Sequence, residues 1–149
     1  MSRVDFYLLS SESGIDKFAC IMASKAWTAG NNVYIHTDSE DTTKKLDDML
    51  WTFRDISFIP HEIYSGNENI ESPVTIGSGN LFPNHQQVLI NLDGKIPEFA
   101  NKFKRVIEIV ENNDKKKERA RERYRQYKDN DYEIHDHKID NLNEFYQSK

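Results

Sequence analysis

Residues 4–35 read VDFYLLSSESGIDKFACIMASKAWTAGNNVYI, and the pattern changes twice along them. Val4-Asp5-Phe6-Tyr7-Leu8-Leu9 is a short apolar run rich in strand-favouring residues and predicts a first strand. Ser10 to Gly14 form a polar turn. From Ile15 to Ala29 the apolar positions Ile15, Phe18, Ala19, Met22 and Ala26 recur with helical spacing, as one buried face requires. Gly30-Asn31-Asn32 stops that helix, because Gly and Asn tolerate the left-handed conformation at a helix C-terminus. Val33-Tyr34-Ile35-His36 predicts a second strand.

The alternation continues outward from this unit. Asp38 or Ser39 can cap a second helix whose inward face is Leu46, Met49, Leu50 and Phe53. In Phe58-Ile59-Pro60-His61, Pro60 lacks a backbone donor, so the piece is an edge strand or an extended segment. Residues 65–72 are a loop. Pro73-Val74-Thr75-Ile76 is a short strand broken by Gly77-Ser78-Gly79-Asn80, and Val88-Leu89-Ile90-Asn91-Leu92 is a buried one. Pro97 suits the first turn of a helix carrying Phe99, Phe103, Val106, Ile107 and Val110 on one face.

Strands and amphipathic helices alternating from residue 4 to residue 110 predict an α/β fold. Its sheet should be mostly parallel, with helices on both faces. No repeat and no interdomain linker interrupts the chain, so residues 1–128 are expected to form a single domain. A further, basic helix covers about 114–128, and residues 129–149 make a polar tail expected to be partly ordered.

Composition narrows the function classes. The 149 residues suit one domain, and 37% hydrophobic with 11% aromatic residues is enough for a core. No run approaches the roughly 20 apolar residues of a membrane-spanning helix. Met1 to Ser10 lacks the basic-then-apolar layout of a secretion signal, so the expected location is cytoplasmic. One cysteine, Cys20, permits neither an internal disulfide nor a cysteine-built metal cluster. Net charge is −5, unevenly spread. Residues 115–128, KKKERARERYRQYK, hold eight Lys or Arg against two Glu, a local +6 that leaves −11 elsewhere. An acidic body repels nucleic acid over most of its surface, whereas the basic segment attracts an anion locally or forms a solvated, ion-paired helix face.

The parts of an α/β enzyme are missing from the sequence. The first strand is followed by Ser10-Ser11-Glu12-Ser13-Gly14, where a dinucleotide fold would need several glycines. Gly77-Ser78-Gly79 follows a strand, but Asn80-Leu81-Phe82-Pro83 precludes an immediate helix and no Lys comes before Lys95. His135-Asp136-His137 offers metal-ligand groups in a polar tail with nothing rigid to fix their geometry; His36, Asp38 and His61 are scattered. Cys20, flanked by Ala19 and Ile21, reads as a structural thiol. No catalytic residue, metal or cofactor is expected.

Two features carry functional information. Leu50-Trp51-Thr52-Phe53 and Phe58-Ile59-Pro60-His61 hold more large side chains than one helix face can bury. Trp51 and Phe58 are either core residues or an exposed anchor for a protein partner, and the residues alone leave both open. In the basic segment, Lys117, Arg121, Tyr124, Arg125 and Lys128 recur at helical spacing on one face. Guanidinium forks beside an aromatic ring suit a carboxylate on an apolar group, and equally a nucleic-acid backbone.

An ordered set of segments resembles the chi subunit family of bacterial DNA polymerase III. It comprises Val4 to Leu9, Lys25 to Gly30 with Asn32 to Ile35, Leu46 to Trp51 with Phe58 to His61, Pro73 to Ile76, Val88 to Leu92, and Ala120 to Tyr127. Together these span roughly residues 4–128. The segment 65–87 and the tail beyond Tyr132 depart from the family pattern. The resemblance implies a Rossmann-like sheet with no nucleotide site and a non-catalytic replication adaptor. It implies a psi subunit, contacted near Trp51 and Phe58 and linking the chain to the clamp loader, with an accessory helicase as a competitor for that contact. It also implies the C-terminal tail of single-stranded DNA-binding protein, acidic and ending in Ile-Pro-Phe, held by Val110, Lys117, Arg121, Tyr124 and Arg125. The alternative is a module that binds nucleic acid directly through helix 115–128; the adaptor is expected to bind it little or not at all.

Overall fold

The computed structural model describes residues 2–10, 14–52, 59–64, 66, 72–80, 82–83 and 87–139. Seven strands form one sheet: β1 (Arg3–Leu9), β2 (Val33–Thr37), β3 (His61–Ile63), β4 (Val74–Ser78), β5 (Val88–Asn91), β6 (Arg105–Val110) and β7 (Glu133–Ile139). Their order across the sheet is β3-β4-β2-β5-β6-β1-β7, and every pairing is parallel. The fold is a Rossmann-like α/β sheet, as the alternation predicts.

A parallel sheet must be covered on both faces, and the strand sequences show it: all five residues of β2 and all four of β5 are buried. Helices α1 (Ile15–Thr28) and α2 (Glu40–Thr52) cover one face, where Phe18, Leu46 and Leu50 pack on Tyr7, Ile35, Ile90 and Ile107. The Ser39 hydroxyl caps α2 by accepting from the Thr42 N–H at 3.2 Å. On the other face α3 (Asp114–Asp129) and a 3₁₀ turn (Glu98–Lys102) pack on Val4, Phe6, Tyr34 and Leu89.

The predicted helix after Pro97 does not form. Phe99 lies in a short 3₁₀ turn, Glu98–Lys102, and Val106 to Val110 belong to strand β6. The spacing Phe99, Phe103, Val106, Val110 imitates a helical stripe, but the run Val106-Ile107-Glu108-Ile109-Val110 is β-branched at four of five positions, which favours a strand. Within the polar tail, where the sequence predicts no strand, Glu133–Ile139 is strand β7, in register with β1 from Arg3↔Glu133 to Leu9↔Ile139. Its polar sequence conceals it because an edge strand is only half buried.

Two polar clusters tie the sheet together. The Asp5 carboxylate, fully buried, accepts from Arg3, from Arg105 Nε at 2.8 Å and from His137 Nε2 at 2.8 Å, pinning β6 and β7 to β1. Glu108, also fully buried, accepts from Asn91 Nδ2 at 2.9 Å, Arg123 Nε at 3.1 Å and the Tyr127 hydroxyl at 2.7 Å, which fastens α3 to the sheet. Gly77 has a packing reason: a Cβ there would stand 2.5 Å from the Tyr34 hydroxyl oxygen.

Candidate functional site

Helix α3 has two faces of opposite character, and the Glu108 cluster decides which one turns outward. Ala120, Arg123 and Tyr127, at spacings of three and four, are buried against the sheet. Arg123 and Tyr127 can be buried because Glu108 accepts from both. Burial pushes the Glu108 carboxyl above its ordinary value, against the pull of Arg123, Asn91 and Tyr127. Burial and the Glu108 charge push the Tyr127 phenol well above its own, so Tyr127 remains the donor of this bond.

With that face fixed, Lys117, Arg121, Tyr124 and Arg125 are turned to a groove of about 500 Å³ between α3 and the β6-β1-β7 edge of the sheet. Val110, Phe6 and Leu8 form its apolar floor with Ala120. All five residues predicted for the peptide-binding face therefore line one concave surface. Tyr124 is 36% exposed, and its ring centroid lies 5.6 Å from that of Phe6, so the aromatic ring leans over the floor. Val110, by contrast, is buried and contributes floor. Among the described residues no carboxylate lies within ion-pair distance of Lys117, Arg121 or Arg125. Unneutralised cations around an apolar floor can take an anionic group attached to an apolar one.

The sequence missed the groove's other side. Phe6 and Leu8 look like core positions of β1, and Asp136 and Lys138 lie in a segment with no clear strand signal. The period-2 alternation of the run around Asp136 is the one clue available. That alternation also separates the His135-Asp136-His137 triplet. In the register with β1, His135 and His137 stand beside Asp5 and Tyr7, and Asp136 beside Phe6. His137 stacks on Tyr7 with centroids 4.5 Å apart while holding Asp5, so its ring is a structural brace.

Trp51 lies near the opposite edge of the sheet. It sits in the last turn of α2, 58% exposed, with its ring 4.7 Å from that of His61 on edge strand β3. His61 in turn approaches Asp47 at 3.3 Å, and Ile63, two residues along the same strand, is 41% exposed. Phe58 and Phe53 lie outside the described residues. Cys20 is buried in α1, and burial, aided by Asp16, pushes its thiol up to about 12, as suits an inert packing residue. Among the described residues no helix is long and apolar enough to cross a membrane.

Comparison with known proteins agrees with this architecture. The family model of the DNA polymerase III chi subunit, HolC, matches residues 1–135. A protein of Pseudomonas aeruginosa named DNA polymerase III subunit chi is 39% identical over 141 residues, covering 93% of this chain and 98% of that protein. Proteins of the same name from Haemophilus influenzae and Escherichia coli are 32% and 30% identical, over 81% and 86% of this chain and 86% and 92% of their own lengths.

Proposed function

The chain belongs to the chi subunit family of DNA polymerase III, and we propose that it serves that polymerase in DNA replication as a non-catalytic adaptor. Its α3 groove holds the acidic C-terminal tail of single-stranded DNA-binding protein, and its α2-β3 edge meets a psi-type subunit of the clamp loader. The observation that carries this reading is the groove: three cations without carboxylate partners among the described residues, set around an aromatic and aliphatic floor. Arg121 offers a planar fork to the terminal carboxylate, while Tyr124, Phe6 and Val110 receive the final aromatic ring. Lys117, one turn before Arg121, meets acidic residues upstream, and Arg125, one turn after it, adds positive charge at the end that receives the ring.

The second contact rests on Trp51, a large apolar side chain left exposed beside Ile63. Strands β3 and β7 close opposite edges of a seven-stranded sheet, roughly 29 Å apart at the usual spacing between strands. Two partners can therefore be held at once, as an adaptor requires. An accessory helicase that used the Trp51 surface would compete with the psi-type subunit alone.

Direct binding of nucleic acid is the other use of a basic helix. The apolar floor and the acidic remainder of the chain disfavour it, since a phosphate backbone needs neither. Calorimetric titration with an acidic peptide ending in Ile-Pro-Phe, as free acid and as C-terminal amide, tests the groove. The free acid is expected to bind and the amide to bind much more weakly. Equal binding of the two would overturn carboxylate capture, and saturation by bare single-stranded DNA would favour the nucleic-acid reading.

A further inference from the structure

We propose that strand β7 is the second wall of the α3 groove, and that Lys138 on it is a specificity residue for acidic side chains upstream of a bound peptide's C-terminus. The proposal rests on reading the groove as an acidic-peptide site and adds a contact from outside the basic helix. Strand β7 runs parallel to β1 with Asp136 opposite Phe6 and Lys138 opposite Leu8. Residues in register share a face of a parallel sheet, so both polar side chains stand on the side where Phe6 and Leu8 form the groove floor. The residue after Lys138, Ile139, is buried in the core of the opposite face, which fixes the alternation. Lys138 is exposed and, among the described residues, has no carboxylate within ion-pair distance.

The order of charges along the groove gives the bound peptide a direction. Helix α3 runs antiparallel to the strands: its first turns follow the end of β6 at Val110, and further on Tyr124 and Tyr127 lie 5.6 and 5.9 Å from Phe6. Lys117 therefore faces the end of the groove that holds Val110, Leu8 and Lys138, while Tyr124 and Arg125 face Phe6 and Asp136. One mouth has cations on both walls; the other has Arg125 on the helix and the Asp136 carboxylate on the strand, so its net charge is lower. A peptide with its apolar C-terminal residue on Phe6 and Tyr124 leaves past Lys117 and Lys138, where its acidic residues meet positive charge from two sides. Running the other way, it would bring those residues against Asp136.

The test is a double-mutant cycle between Lys138 and the peptide's upstream charges. Full-length chain is titrated with an acidic peptide ending in Ile-Pro-Phe and with the same peptide carrying Asn at its upstream Asp positions. Lys138→Ala is expected to weaken the acidic peptide about fivefold and Lys138→Glu on the order of tenfold. Lys138→Arg should bind as the unmodified chain does, and none of the three should change binding of the Asn peptide. The melting temperature should stay put, because Lys138 is exposed on an edge strand. If Lys138→Ala and Lys138→Glu bind the acidic peptide normally while Arg121→Ala still weakens it, the second wall is wrong and the groove reading survives. If Arg121→Ala also has no effect, the groove is not the peptide site and both fall.

Discussion

The hydroxyl of Tyr127 donates a 2.7 Å hydrogen bond to Oε2 of Glu108, joining the last turns of α3 to the middle of β6. Arg123, one turn earlier, donates to the other oxygen of the same carboxylate at 3.1 Å. Both donors and the acceptor are buried, so the rotation of α3 is set by a polar contact that tolerates no slippage. The groove residues Lys117, Arg121 and Tyr124 face outward because Arg123 and Tyr127 face inward.

Removing part of that clamp should loosen the helix. Tyr127→Phe keeps the ring and takes one donor from a buried carboxylate, at an expected cost of about 1–3 kcal/mol. Arg123→Ala leaves the carboxylate without its cation and should cost more, about 3 kcal/mol or above. Denaturant unfolding checks both. A change below about 0.5 kcal/mol for Arg123→Ala would show that the pair does not hold α3 in place.

Arg121 should be the most sensitive groove residue. Arg121→Ala is expected to lose about 2 kcal/mol of peptide affinity, about thirtyfold, and Arg121→Lys to recover only part of it because an ammonium cannot form two parallel bonds. Raising salt should weaken binding without abolishing it, since burial of the terminal ring is not screened. Full recovery by Lys would identify a simple charge requirement in place of a fork.

Trp51→Ala should separate stability from binding. With 58% of Trp51 exposed, less than half of its surface is withdrawn from water, so the melting temperature should move less than for a core residue. Binding of a psi-type subunit should fall by about 2 kcal/mol or more if Trp51 is an anchor. A large drop in melting temperature with unchanged binding would return Trp51 to a structural role.

Asp5 should make the fold acid-sensitive in a defined window. Burial raises its pKa, but hydrogen bonds from Arg3, His137 and Arg105 outweigh burial and lower it from 3.8 to about 2. Because the folded value is the lower one, the ionised carboxylate stabilises the fold fully above pH 3.8. That contribution, about 2 kcal/mol, is lost as pH falls toward 2. Unfolding free energies of the unmodified chain and of Asp5→Asn, measured between pH 5 and pH 2, should converge as pH falls. Curves that stay parallel would show that Asp5 is not the group responsible.

Local chemistry made much of the architecture legible. The strand–helix–strand pattern of residues 4–35, the Ser39 cap, and the buried strands at Val74 and Val88 depend on periodicity and propensity within a few residues. The span from Phe99 to Val110 misled because its spacing satisfies a helix while its β-branched composition favours a strand, and only the gap between β5 and β1 settles that conflict. Strand β7 was hidden for the opposite reason: at a sheet edge one side of each residue meets water, so its sequence carries little apolar signal.

The basic face of α3 was readable from sequence, since Lys117, Arg121, Tyr124 and Arg125 share a stripe in any helix with 3.6 residues per turn. What faces that stripe was not. Phe6, Leu8 and Lys138 lie more than a hundred residues away or on a strand the sequence scarcely announces, and they meet α3 only because β1 stands between β6 and β7. Sequence by itself determined the α/β class, the charge of the helix and the surplus of large apolar groups near Trp51. Tertiary structure decided that the helix stripe borders a groove, that Trp51 stays exposed, and that the two lie toward opposite edges. Helical periodicity is a property of neighbours along the chain; a groove is a property of surfaces brought together by strand order and by a buried carboxylate that fixes how a helix is turned.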